Sequence, residues 1–133
     1  MKLFLLDTHI LLWWLCNSPR LRLQVRKLIA NPDNEIYISP ASVWEASIKR
    51  ALGRLEFEEE ELLTAIKSGG FREIAVTVRH GLIAGSLPRY HEDPFDRMLI
   101  AQAQVEGFSI ITHDAKFKHY NVPIYLGIYS ARE

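Results

Sequence analysis

Leu3-Phe4-Leu5-Leu6-Asp7-Thr8-His9 decides the fold. A short, continuous apolar run closed by a charged residue and a turn former reads as a strand of a parallel sheet, buried on both faces. Asp7 then stands where the strand stops. In open parallel α/β sheets, ligands bind in the crevice beyond the carboxyl ends of the strands, so a carboxylate there is placed for chemistry. The same residue is also suited to cap the helix that follows. Which role it takes depends on whether other carboxylates meet it.

Outward from this stretch, strands and helices alternate. Residues 10–15, with Trp13 and Trp14, read as a short apolar helix stopped by Asn17-Ser18-Pro19. Ser18 and Pro19 have the form of an N-cap and a first helical residue, and Leu21, Val25, Leu28 and Ile29 recur at helical spacing to about residue 30. A turn cluster at 31–34 leads into a second strand, 36–38. Ser39-Pro40 repeats the cap signature, and Trp44, Ile48, Ala51 and Leu55 mark the apolar face of a third helix ending near Gly53. The acidic run 58–61 suits the positive end of a fourth helix, closed by Gly69-Gly70. A short strand is expected at 74–76, then a helix from its cap Thr77 to residue 86. The segment His91-Glu92-Asp93-Pro94-Phe95-Asp96-Arg97 opens a helix to residue 106, closed by Gly107. A fourth strand, 108–112, is followed after one residue by Asp114, and a last strand, 122–126, carries Pro123, which favours a sheet edge. Strands alternating with helices imply right-handed βαβ crossovers and a parallel sheet covered on both faces, so the fold class is α/β.

Size and composition agree. The 133 residues, 48% of them hydrophobic, suit a single domain, 1–133, with a real core. Lys plus Arg equals Asp plus Glu at 16 each, so no global positive field is available and any polyanion must be held locally. The single cysteine, Cys16, lies in an apolar stretch, reads as a small core hydrophobe and fits a reducing compartment. Asp7 and His9 interrupt the N-terminus too early for a secretory signal, and the longest apolar run is far below the ~20 residues that span a bilayer. The expected location is cytoplasmic, with no membrane contact.

Four acids stand near the carboxyl edge of this sheet: Asp7, Glu45, Asp96 and Asp114. Each also has a plainer role. Glu45 precedes Lys49 by four residues, an exposed helix pair worth about 0.3–0.5 kcal/mol. Asp93 before Pro94 is an N-cap candidate, with Asp96 completing an approximate capping box, and Asp114 is placed to cap the segment 115–120. Together, however, acids converging on one edge repel and raise one another's pKa values unless a cation sits among them. Mg²⁺ or Mn²⁺ takes oxygen ligands and keeps positions for water and phosphate, so such a site does phosphoryl chemistry. The five histidines show no zinc spacing, and there is no paired cysteine. His91 lies in the loop beside the site, and Arg97 either contacts phosphate or pairs with an internal acid.

Leu5-Leu6-Asp7-Thr8-His9, Ser42-Val43-Trp44-Glu45, the run from His91-Glu92-Asp93-Pro94-Phe95-Asp96-Arg97 to Ala103, and Ile111-Thr112-His113-Asp114 resemble, in order, the motifs of PIN-domain ribonucleases. The resemblance is to VapC-like toxins of type II toxin-antitoxin modules and spans essentially the whole chain. It implies a three-layer α/β/α sandwich around a parallel sheet of four to five strands, and a Mg²⁺- or Mn²⁺-dependent endoribonuclease. By position it assigns Asp7, Glu45, Asp96 and Asp114 to the metal-holding quartet and Thr112 to its hydrogen-bonding support. Asp93 and His91 belong to a variant of the third motif. RNA is the implied substrate, a VapB-like antitoxin the implied partner, and a homodimer the implied assembly. RNA would be held by local groups among Arg20, Arg22, Arg26, Lys49, Arg50, Arg54, Lys116 and Lys118.

Two other readings stay open at this stage. A catalytically silent PIN-fold module for RNA binding or protein interaction would use the acids structurally. A phosphatase of the haloacid-dehalogenase type also begins with an aspartate after strand one, but needs a second two residues later, where His9 stands.

Overall fold

β1 (Leu3–Leu6) is the central strand of a five-stranded, all-parallel sheet. The computed structural model describes residues 2–127. The other strands are β2 (Glu35–Ile38), β3 (Arg72–Glu73), β4 (Ser109–Thr112) and β5 (Ile124–Leu126), in the order β3-β2-β1-β4-β5. The chain builds outward from β1 through β2 to β3 and then crosses back to β4, so the order reverses between β1 and β4. That is the topological switch point, where a crevice opens.

Among the described residues, six helices cover the sheet: α1 (Thr8–Leu15), α2 (Leu23–Ala30), α3 (Pro40–Ala51), α4 (Glu59–Ser68), α5 (Val78–Ser86) and α6 (Pro94–Glu106). A 3₁₀ turn, Ala115–His119, precedes β5. Alternate residues of β1 serve opposite layers. Phe4 and Leu6 pack with Ile10, Leu11, Val25, Ile29 and Leu62 of α1, α2 and α4. Leu5 packs with Leu99, Ile100 and Ala103 of α6 and with Phe117. Each such side chain, fully buried, contributes about 1.5–3 kcal/mol. The α/β/α sandwich and the number of strands agree with expectation. Pro123 immediately precedes β5, which is an edge strand, and its carbonyl still accepts from the Ile110 N–H at 2.9 Å. No helix among the described residues is long and apolar enough to cross a membrane.

Several local expectations are corrected. α1 starts at Thr8, two residues before the apolar run, because the Asp7 side chain caps it by accepting from the Ile10 N–H. α2 starts at Leu23 and not at Pro19. The Ser18 hydroxyl accepts from the Arg20 N–H to form a turn, and the Arg22 N–H is drawn to the Gly127 carbonyl at 2.7 Å, which keeps residue 22 extended. β3 falls at Arg72–Glu73 and not at 74–76, since its partner β2 ends at Ile38 where Ser39-Pro40 turns into α3. Cys16 is exposed, at the C-cap of α1, and is no core residue.

The largest correction concerns α3. Its expected apolar face is outside: Trp44, Ile48 and Ala51 are exposed, while Ala41, Ser42, Glu45 and Ala46 are buried. The helix turns small residues and a carboxylate inward, which lets it approach α1 and α6 closely.

Ile110→Ala should lower the stability read from urea denaturation by about 2–5 kcal/mol, because the side chain is wholly buried between α6 and the sheet. Leu23→Ala, at an exposed position of α2, should stay within about 0.5 kcal/mol of the parent.

Candidate active site

Strand ends and helix starts deliver the acids to the crevice at the switch point. Asp7 is 2% exposed and uses both carboxylate oxygens. Oδ1 accepts from the Ile10 N–H at 3.0 Å, which caps α1. Oδ2 accepts from the Thr112 hydroxyl, from the His113 N–H at 3.3 Å and from His113 Nδ1 at 3.2 Å. The cap and the crevice are therefore served by different oxygens of one residue. The Thr112 oxygen also accepts from the Asp114 N–H at 3.0 Å, so a single hydroxyl joins the end of β1 to the end of β4.

Glu45 reaches the same place from the buried side of α3. Its Oε1 accepts from the Thr8 hydroxyl at 2.5 Å and its Oε2 from Lys49 Nζ at 2.8 Å. The expected Glu45–Lys49 helix pair forms, but with the carboxylate buried and not on a solvated face.

The loop before α6 is held from two sides. Arg97 donates to the carbonyls of Gly85, Leu87, Pro88 and His91 at 3.4, 2.9, 3.1 and 3.1 Å. Arg97 thus neither pairs with an acid nor points a free guanidinium at the crevice, contrary to both expectations. Tyr120 Oη accepts from the His91 N–H at 2.8 Å and donates to the Pro88 carbonyl at 2.6 Å. His91 Nδ1 accepts from the Asp93 N–H at 3.2 Å, which leaves the ring hydrogen on Nε2. That nitrogen lies 2.8 Å from Asp96 Oδ2 and 3.0 Å from Asp114 Oδ2. The ring N–H is directed at Asp114, with Asp96 in close contact beside it.

Asp93 caps α6, accepting from the N–H groups of Phe95 and Asp96 at 2.8 and 3.3 Å. Asp114 caps the 3₁₀ turn through Oδ1 and the Lys116 N–H at 2.9 Å, which leaves Oδ2 facing His91. Asp96 is the least supported acid. Among the described residues no hydrogen bond is donated to its carboxylate, and His91 Nε2 is only a close contact at 2.8 Å. Burial, followed by the charges of Asp93, Asp7, Glu45 and Asp114, pushes its pKa from 3.8 up to about 8. Its hydrogen bond to Asp7 raises the pKa of His113, whereas burial and neighbouring His113 lower that of His9.

The donor set fits a hard divalent ion. One carboxylate oxygen each of Asp96 and Asp114 lies within 4.8 Å of the other and of His91 Nε2, whose hydrogen makes it a donor to carboxylate and not a metal ligand, so the ligands on offer are oxygens. Asp7 and Glu45 are near enough to raise Asp96 electrostatically. A cation among these groups offsets both the burial of the Asp96 charge and the repulsion from its neighbours, which together raise its pKa. Of the basic candidates, Arg26 is engaged by Asn17 and Ser18, Arg22 by the Leu126 carbonyl, and Arg50 by Glu59. Arg20, Arg54, Lys116 and Lys118 are exposed.

Sequence reasoning missed Thr8 and His113 as partners of the acids, and Tyr120 as the support of the loop that carries His91. Thr8 and His113 directly follow Asp7 and Thr112, and the Thr-His pair occurs at both strand ends, which was a readable signal. Tyr120 gives none, because its partners are backbone groups 29 and 32 residues away.

This is a three-layer α/β domain with a partly buried carboxylate cluster at the switch point of its parallel sheet. The PIN domain family matches it over residues 4–123, and the chain belongs to that family. Ribonuclease VapC22 of Mycobacterium tuberculosis is 25% identical over 125 residues, covering 92% of this chain and 95% of the relative. Among solved structures, the fold is similar to VapBC2 from Rickettsia felis bound to a DNA fragment from its promoter, with a TM-score of 0.70, 18% identity and coverage of 93% and 98% of the two chains. It is also similar to DNA-bound VapBC from Salmonella typhimurium, with a TM-score of 0.66, 19% identity and coverage of 94% and 98%.

The raised carboxyl makes stability depend on pH. Asp96 titrates near 3.8 in the unfolded chain and about 8 in the folded one, so the folded state holds a proton that the unfolded state releases. Without metal, its contribution is fully present below pH 3.8 and is lost as the pH rises through about 8. Asp96→Asn should therefore raise the melting temperature of the metal-free protein at pH 8, with the gain fading towards pH 4 in thermal scans. Tyr120→Phe strands the His91 N–H and should cost about 1–3 kcal/mol in urea denaturation.

Proposed function

We propose that this chain is a divalent-metal-dependent endoribonuclease, the toxin of a VapBC-like toxin-antitoxin pair. The observation that carries the reading is the convergence of the buried Asp7 and Glu45 with the half-buried Asp96 and Asp114, with Asp96 held at about 8 by its burial and by the charges of its neighbours. Such a cluster is costly without a cation. Membership of the PIN family and the likeness to Ribonuclease VapC22 support the choice of RNA as substrate.

In this reading Asp7, Asp96, Asp114 and Glu45 would hold Mg²⁺ or Mn²⁺. When bound, the ion supplies Lewis acidity, making a water it holds more acidic and offsetting charge on phosphate oxygens. The protein supplies orientation. His91, fixed as an Nε2 donor, orients Asp114 Oδ2, with Asp96 Oδ2 in contact beside it. Thr112 and His113 fix Asp7, and Thr8 and Lys49 fix Glu45. Asp93 sets the start of α6, and Arg97 holds the loop that presents His91. Water would attack phosphorus in line, its P–O bond forming as the bond to the 3′ oxygen breaks; water gives up a proton and the leaving 3′ oxygen takes one up, giving a 5′-phosphate and a 3′-hydroxyl.

A VapB-like antitoxin and a second copy of the chain are the partners this reading brings. The VapBC complexes among the structural relatives support the first. The exposed apolar residues Trp44, Val78 and Leu82 offer surface for either.

Purified protein should cut RNA with Mg²⁺ or Mn²⁺ and stop when EDTA is added. Asp96→Asn and Asp7→Asn should lose cleavage, and Thr112→Val should weaken metal binding by about 10- to 100-fold, measured by calorimetry. A parent that cuts no RNA with either ion, or an Asp96→Asn variant that cuts as well as the parent, would overturn the reading.

A further inference from the structure

We propose that His9, Trp13 and His113 form a stacking platform for one unpaired base of single-stranded RNA, beside the phosphodiester that is cut. The inference rests on the nuclease reading above and adds where the neighbouring nucleotide is held. Thr8-His9 opens α1 directly after Asp7, and Trp13 lies four residues on from His9, on the same face of the helix. His113 comes to them from the end of β4. The ring centroids are 4.5 Å apart for His9 and His113, 5.7 Å for Trp13 and His113, and 5.9 Å for His9 and Trp13. Interplanar angles of 53°, 72° and 58° mean that no ring is sandwiched face to face by another.

All three residues are half-buried: Trp13 packs on one side against the core, and none of the three rings is wholly enclosed. Among the described residues, no hydrogen bond engages a ring nitrogen of His9. A cluster built only for packing would be expected to bury its rings and satisfy their nitrogens. Here ring surface and two open nitrogens remain at the edge of the crevice. The platform is also continuous with the carboxylates: His113 Nδ1 is 3.2 Å from Asp7 Oδ2, and His9 lies within electrostatic reach of Asp7, Glu45 and Lys49.

The charge balance favours such a device. With a formal net charge of zero, the protein has no bulk field to draw a polyanion onto the acidic crevice. Stacking on aromatic and imidazole rings holds a base without a positive field and is open to every base. It also selects single strands, because bases in a duplex already stack on one another.

The test uses the full chain carrying Asp96→Asn, so that bound RNA is not cut, with a short fluorescent oligoribonucleotide followed by anisotropy. Single-stranded binding should weaken by about 5- to 150-fold in His9→Ala. His9→Gln, which keeps a hydrogen-bonding group but loses the ring, should weaken likewise. His9→Phe should stay within about twofold of the parent, since the ring carries the stacking. The same strand in a perfect duplex should bind more weakly and be insensitive to His9. Single-stranded binding unchanged in both His9→Ala and His9→Gln would overturn the platform, as would duplex binding equal to single-strand binding. If the protein with Asp96 intact cuts RNA while the His9 variants bind normally, the platform alone falls. If it neither binds nor cuts RNA, the nuclease reading falls with it.

Discussion

The hydroxyl of Thr112 holds together the two strand ends on which the crevice is built. It donates to Asp7 at the end of β1 and accepts from the Asp114 N–H just beyond β4, and it is fully buried. β1 and β4 are neighbours only because the sheet reverses its order between them. The reversal opens a gap, and the hydroxyl sets how far apart the two acids stand within it. The other contributions follow from the same edge. α1 starts on Asp7, α3 brings in Glu45 through Thr8, and α6 brings in Asp96 beneath His91.

The arrangement opposes two physical demands. Burying carboxylates together is unfavourable, and the consequence is concentrated on Asp96, the acid with the fewest donors. Asp7 and Glu45 are each supported on both oxygens, and Asp114 by an amide on one side and His91 on the other. A structure maximising its own stability would not leave one carboxyl so exposed to the charge of its neighbours. One that must receive a cation gains from doing so, because the ion then replaces a proton and relieves the repulsion in a single step. Residues that strain stability in this way are commonly functional.

Most of the architecture was legible in the chain. The apolar run of β1, the cap-proline pairs Ser39-Pro40 and Asp93-Pro94, and the cap Thr77 each signal their element through local chemistry, and each holds. Where reading failed, a distant backbone partner decided the outcome. Ser18-Pro19 has the form of a helix start, but the Gly127 carbonyl captures the Arg22 N–H. Residues 74–76 have strand composition, but β2 has already ended. α3 misleads for a different reason: its large apolar residues face outward and its glutamate inward, which no hydrophobic periodicity conveys. Among candidate site residues, the four acids and His91 were visible as types in a pattern. The role of Arg97 was not, because a guanidinium satisfied by four carbonyls looks in sequence like any other.

The central claim is that the buried acids form a cation site in which the ion displaces a proton from Asp96. Calorimetric titration of Mn²⁺ into the full chain at pH 7, repeated in two buffers of different ionisation enthalpy, measures that exchange directly. Binding should release close to one proton per ion in the parent, since the Asp96 carboxyl titrates near 8 before the ion enters. The proton release should vanish in Asp96→Asn. Binding without proton release, or no binding that depends on Asp96, would contradict the account.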